Sequence, residues 1–172
     1  MIFKRLFQRP APAARNAYEA IVAAARHPVF YAEWGVPDTV DGRFDMIALH
    51  AFLVLDRLKG TADRFRQDLV DELFRDMDRS LREMGASDVS VGKKVRKMAE
   101  VFYGRIAAYD QALVAGPAQL EEAISRNVFA DGPVGGGAAR LSSHLVESRR
   151  FLAAQAAEVI AAGRIAFQEP NS

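Results

Sequence analysis

An all-α fold, a single compact domain of about six helices, is predicted by three observations. Apolar residues return every three or four positions over long stretches, glycine and proline cut the chain into pieces of helical length, and no segment reads as a strand. The clearest stripe is Phe65, Leu69, Val70, Leu73, Phe74, Met77, Leu81 and Met84, which predicts a helix over 62–84. Its opposite face is charged: Asp71 stands four residues before Arg75 and Asp78 four before Arg82, the order that supports an exposed face. Gly85 ends it. A second helix over 91–115 carries Val95, Met98, Phe102, Ile106, Tyr109 and Leu113, with Ser90 as its expected N-cap and Gly116 as its stop. So short a connection makes the two a central antiparallel pair, and residues 69–105 the expected organising stretch.

The other elements follow in order. Residues 1–13 are a basic amphipathic segment, in which Ile2, Phe3, Leu6 and Phe7 alternate with Lys4, Arg5 and Arg9 before Pro10 and Pro12 break any helix. Phe3, Lys4, Arg5 and Phe7 are candidate contacts with an anionic membrane surface, set against the plainer reading of a flexible chain end. The helical domain is expected over 14–166, and 167–172 as a flexible tail. Tyr18, Ile21, Val22 and Ala25 mark its first helix, which His27-Pro28 terminates. Phe30, Tyr31, Trp34 and Val36 fit neither period well and read as an aromatic loop. Their rings either cap the core or anchor a partner, and Tyr31 and Trp34 are the candidates for the second role. Asp41 is the expected N-cap of the next helix, whose Phe44, Ile47, Ala48, Ala51, Leu55 and Leu58 form a face wide enough to be buried on more than one side; Gly60 stops it and Thr61 caps its successor. Pro117 opens another helix with Leu120, Ile124 and Val128 inward. Residues 131–137 read as a glycine-rich surface loop. A last helix with Leu141, Leu145, Val146, Phe151 and Leu152 fades near Gly163.

Composition narrows the function classes. At 172 residues, 50% hydrophobic and 26% charged, the chain can bury one sizeable core. Lys plus Arg (23) nearly cancels Asp plus Glu (22), so no global field favours DNA. The absence of cysteine excludes disulfides, thiolate metal sites and thiol nucleophiles. No apolar run approaches the roughly 20 residues of a membrane span, and Lys4 and Arg5 interrupt the place of a signal peptide's apolar core. A cytoplasmic protein, free or at the cytoplasmic face of the inner membrane, is expected.

Catalytic and cofactor motifs are weak throughout. His27, His50 and His144 are far apart in sequence and lack the spacing that puts two metal ligands on one helix face; only His50, on the widest apolar helix, invites attention. Asp68, Glu72 and Asp76 share a face and suggest, as the alternative function, a small isoprenoid- or lipid-handling enzyme that uses helical aspartates and magnesium. Against it, Arg75, Arg79 and Arg82 stand ready to pair with the carboxylates. Gly92-Lys93-Lys94 matches half of a phosphate loop without its Ser/Thr or its preceding strand. Lys93, Lys94 and Lys97, with Arg96, do break a rule: cations crowd a helix start, where the macrodipole disfavours them by roughly 0.3–1 kcal/mol each. Either Asp88 or carboxylates of a neighbouring helix neutralise them, or they meet an acidic partner, anionic lipid or ribosomal RNA, and Lys93, Lys94 and Lys97 are therefore candidate partner-binding residues. No catalytic, cofactor or metal residue is assigned.

The run DLVDELFRDMDRSLREMG (Asp68 to Gly85), followed by Asp88-Val-Ser-Val-Gly-Lys-Lys94 and Phe102-Tyr-Gly-Arg105, resembles the ubiquinol–cytochrome c chaperone family. The resemblance extends back through Phe30-Tyr-Ala-Glu-Trp-Gly-Val-Pro37 and Arg43-Phe-Asp-Met-Ile47, and forward with less definition. It implies a non-enzymatic chaperone, a bacterial relative of the mitochondrial cytochrome b assembly factor, that binds newly made cytochrome b for the respiratory bc1 complex. A second assembly factor or the ribosome is a further implied partner. Oligomeric state stays open.

Overall fold

A computed structural model describes residues 11–130, 132 and 136–171. The candidate membrane contacts Phe3, Lys4, Arg5 and Phe7 lie outside the described residues, as does most of the glycine-rich 131–137 segment. Among the described residues there are six helices of 12 residues or more, two five-residue helices and no strand. The expected six are therefore the long ones: α1 (Pro12–Ala25), α3 (Val40–Arg57), α4 (Asp63–Glu83), α5 (Asp88–Ala115), α6 (Pro117–Val128) and α7 (Gly137–Ala153). The short ones are α2 (Pro28–Ala32) and α8 (Ala157–Ala161).

Antiparallel packing of α4 and α5 is fixed by paired positions. Phe74 meets Phe102 edge to face at 5.6 Å, and Arg82 ion-pairs with Asp88 across the turn. Beside this pair lies α3, which packs against α1, α5, α6 and α7 and is buried without interruption from Phe44 to Leu55. A helix apolar all round must be surrounded, and the wide face of 41–58 says so in the sequence. Beside it, α1 buries Ala14, Ala17, Tyr18, Ile21 and Ala25; the alanines let α3 and α4 come close, and the Tyr18 hydroxyl donates to Asp76 at 2.8 Å to tie α1 to α4.

Helix starts differ from expectation in a consistent way. Thr39, not Asp41, caps α3: its Oγ1 accepts from Gly42 N at 3.1 Å, and Asp41 falls in the first turn, where a carboxylate also suits the dipole. Thr61 does not cap α4. Its Oγ1 donates to the Leu58 carbonyl, closing α3 from behind, while α4 starts after Ala62 in the left-handed region at φ 50°. Helix α5 begins three residues before the expected 91, after Ser87, and Ser90 Oγ donates back to the Ser87 carbonyl at 2.9 Å. The segment read as an aromatic loop contains α2, started by Pro28 and capped by His27 Nδ1, which accepts from Val29 N.

The single last helix of the sequence reading is two, broken after Ala153. Phe151 points outward, 42% exposed, and Val146 is only half-buried, so the inward face of α7 is Leu141, His144, Leu145, Ser148 and Leu152. Residues 166–169, which include the start of the expected tail over 167–172, have defined partners. Gln155 holds Ala166 by both its backbone groups, Phe167 stacks edgewise on His50 at 5.6 Å, and Glu169 lies 3.2 Å from His27.

Candidate functional site

Where α4 and α5 diverge from the start of α3 and the end of α6, they leave an open groove of about 760 Å³. Met77, Leu81 and Met84 from α4 and its end, Met98 and Val101 from α5, and Val40 and Phe44 from α3 form its apolar wall. Three of the chain's five methionines are thus in one place, which matters because an unbranched thioether repacks around guests of different shape. Met84 is 62% exposed and Val40 65%, so the wall is partly bare to solvent. Exposed apolar side chains scattered singly mean nothing, but gathered on a concave surface they mark a place for a partner.

The floor is polar. Asp45 lies on the buried side of α3 with its Oδ1 2.6 Å from Arg105 Nη2 of α5, and Arg105 also donates to the Asn127 carbonyl of α6 at 3.3 Å. Asp45 Oδ1, despite that proximity, is not aligned for a hydrogen bond, and Arg105 Nε has no partner among the described residues. Asn127 Nδ2, which faces the buried Tyr109 hydroxyl, likewise lacks an aligned bond. Burial pushes the Asp45 carboxyl up, to about 7; the Arg105 guanidinium opposes that rise and Asp41 adds to it.

Of the three candidate lysines, Lys94 and Lys97 line the groove and Lys93 does not. All three are exposed. Lys97 has Glu100 at 3.7 Å, an exposed pair worth little, and Lys93 and Lys94 have no ion pair among the described residues. Because α5 starts at Asp88, Lys93, Lys94 and Lys97 fall in its second and third turns, beyond the reach of the dipole, and the expected penalty on cations at a helix start does not apply to them.

The aromatic candidates sit elsewhere, on the side of α3 that faces α7. Trp34 is 4% exposed and packs on Phe30 and His144, at 5.2 and 5.6 Å. Tyr31 is half-buried and donates to the Ala25 carbonyl at 2.8 Å. These contacts are those of rings that close the core. Histidines that are far apart in sequence converge here: the Phe30 ring touches His27, His50 and His144 at 6.1, 5.6 and 5.3 Å. His50 donates through Nδ1 to the Met46 carbonyl at 2.8 Å, and burial drives its pKa down to about 4 against that bond. Burial lowers His144 too, opposed by Glu147.

The acidic face of α4 is spoken for by its own arginines. Glu72 pairs with Arg75, Asp76 with Arg79 and with the Tyr18 hydroxyl, Asp78 with Arg82 at 2.6 Å, and Asp71 accepts from Gln67 at 2.8 Å. Among the described residues no group of three or more His, Asp or Glu is placed to hold a metal ion. The magnesium reading of Asp68, Glu72 and Asp76 finds no geometry to stand on.

A family model described as ubiquinol-cytochrome C chaperone matches residues 32–167. The chain belongs to that family. The chain is similar to ubiquinol-cytochrome-c reductase complex assembly factor 1 of Xenopus laevis, 28% identical over 120 residues that cover 68% of this chain and 60% of that protein. The assembly factor 1 of Homo sapiens is 26% identical, over 68% of this chain and 40% of its own length. The chain thus spans roughly half the length of the curated relatives it matches. Among solved structures, the crystal structure of the Cbp3 homolog from Brucella abortus superposes with a TM-score of 0.82 at 39% identity, covering 97% of this chain and 94% of that one. The all-α fold is the family's fold.

The family-matched span contains every residue that lines the groove, from Pro37 to Ala130. Sequence reasoning found the cations of the groove but missed its floor. Asp45 and Arg105 each lie inside a motif that carries the family resemblance. The signal for Asp45 was available: a carboxylate flanked by Phe44, Met46 and Ile47 on the widest apolar helix needs a buried cation.

Proposed function

We propose that this chain is a non-enzymatic assembly chaperone for the bc1 complex, ubiquinol–cytochrome c reductase, and that it holds newly made cytochrome b in the methionine-lined groove. Membership in the family supports the process. The observation that carries the site is the groove itself, in which adaptable apolar side chains, bare to solvent, adjoin Lys94 and Lys97. A chaperone for a membrane protein needs an apolar surface that tolerates several guests and lets them go, and a methionine wall offers weak, adaptable contacts of that kind. Among the described residues no helix is long and apolar enough to cross a membrane. In this reading the chaperone meets its client at the surface of the inner membrane, on the cytoplasmic face, alongside a second assembly factor or the ribosome.

The test is affinity capture of the tagged protein from solubilised membranes of its native cell. Cytochrome b is expected to be enriched over an untagged control, with bc1 levels falling when the gene is removed. Met84→Asp, at an exposed position, should keep its melting temperature and lose the enrichment. Cytochrome b at control levels together with unchanged bc1 content would end this reading.

A further inference from the structure

The groove has an order along its length that says what kind of guest it takes. On α5 the lining residues run Lys94, Lys97, Met98, Val101, Arg105. Eleven residues of helix separate the first from the last, roughly 16 Å or three turns. Two exposed ammonium groups stand at one end and an apolar stretch lies between. At the other end is the Asp45–Arg105 pair, with an unaligned carboxylate oxygen and a guanidinium N–H lacking a partner among the described residues. The remaining lining charge, Asp41, is exposed and stands one turn before Asp45 on α3.

We propose that the groove seats a short amphipathic α-helix of a partner protein, about three turns long, with an acidic side chain at the end that lies over Lys94 and Lys97, an apolar stripe against Met77, Met84, Met98 and Val101, and a hydrogen-bonding side chain over Asp45 and Arg105. Charge complementarity fixes the first end: among the described residues Lys94 has no carboxylate partner and Lys97 only the exposed Glu100. The stripe follows from helix-in-groove recognition, in which apolar side chains at i, i+3 or i+4, and i+7 occupy a groove of this length. The second end separates a polypeptide from a lipid. An acyl chain whose anionic headgroup sat on the lysines would lay its apolar end against a carboxylate and a guanidinium, a costly match, whereas a peptide side chain can bond to both. The inference rests on the reading of the groove as the client's seat and specifies the chemistry of what enters it.

The probe is a pair of labelled 14-residue helical peptides, each with leucines at i, i+4, i+7 and i+11 and a glutamine at one end, and with two glutamates or two lysines at the other. Binding to the full chain is read by fluorescence anisotropy, beside flotation with phosphatidylglycerol vesicles. The glutamate peptide is expected to bind, more weakly as salt rises, and K94E/K97E should weaken it at least tenfold while gaining affinity for the lysine peptide. K93E adds the same kind of charge outside the groove and should change binding far less. Met84→Asp should abolish binding of either peptide with the melting temperature kept. Equal losses for K93E and for K94E or K97E would show diffuse electrostatics and overturn the assignment. So would vesicle binding that K94E/K97E abolishes while both peptides bind indifferently, because the ligand would then be a lipid. If cytochrome b is captured from membranes but the charge swap fails, the client reading stands and this seat is wrong. If the swap succeeds and cytochrome b is not captured, the seat stands and its occupant is another protein.

Discussion

Two buried side chains carry opposite pH signatures. His50 is neutral in the fold, with its pKa near 4, but titrates at the ordinary value near 6.5 when unfolded. Between those values the unfolded chain binds more protons, so its contribution to stability falls as pH is lowered from 6.5 to 4, by about 3 kcal/mol in all. Asp45 runs the other way: its folded pKa is raised to about 7, so the fold binds more protons between 3.8 and 7 and this contribution falls as pH rises through that window. Melting of His50→Gln, which keeps a donor for the Met46 carbonyl, should show a shallower acid limb than the wild type between pH 6.5 and 4; an unchanged limb would mean the ring is not held neutral. Removing the partner of Asp45 exposes its side of the balance. Arg105→Met should destabilise by about 3–5 kcal/mol at pH 8, where an uncompensated carboxylate is left buried, and distinctly less at pH 6, where the carboxyl can take up a proton instead. Equal losses at both pH values would contradict a carboxyl that titrates in this range.

Elements were more legible than their ends. The stripes of α4 and α5 and the proline at the head of α6 state the helices outright, because the 3.6 period and the chemistry of proline act locally. Caps depend on which of several competent acceptors the preceding chain delivers. At α3 the choice of Thr39 over Asp41 goes with the approach of Pro37, whose carbonyl passes so close to Gly42 that a Cβ there would lie 1.9 Å from the oxygen. Gly42→Ala is therefore expected to cost about 1–3 kcal/mol or more, as overpacking against rigid backbone does. Gly92, inside α5 with nothing within 4 Å of a Cβ, is the contrasting case. Gly92→Ala should raise stability by about 0.5–1 kcal/mol, since only the helix cost of glycine is removed. Chemical denaturation of the two variants side by side would check both signs.

At the scale of the molecule, the sequence marks the α4–α5 pair more clearly than the helix that is buried most deeply. The α4–α5 pair stands out in sequence because its stripe is set off by a charged face, whereas α3, buried on all sides, has little contrast to show. The convergence of His27, His50 and His144 on Phe30, and the Asp45–Arg105 contact, depend on how helices are stacked; periodicity is silent on both. The same holds for the segment after α8, whose last residues, 167–172, read as a loose tail but whose Phe167 ring lies on His50. Removing residues 164–172 should lower stability by about 1.5–3 kcal/mol, the range for exposing one large apolar side chain, and a melting temperature equal to that of the full chain would show that the segment only rests on the surface.

That segment also brings distant parts of the chain together. Gly163 lies so close to α1 that a Cβ on it would come within 2.5 Å of the Ala13 carbonyl oxygen, although 150 positions separate the two residues. Unfolded, a span of that length has a radius of gyration of roughly 40 Å. A donor and an acceptor dye attached beside these two points would accordingly act as a switch for the intact domain, bright in energy transfer while every helix between them is in place and dark once the stack opens.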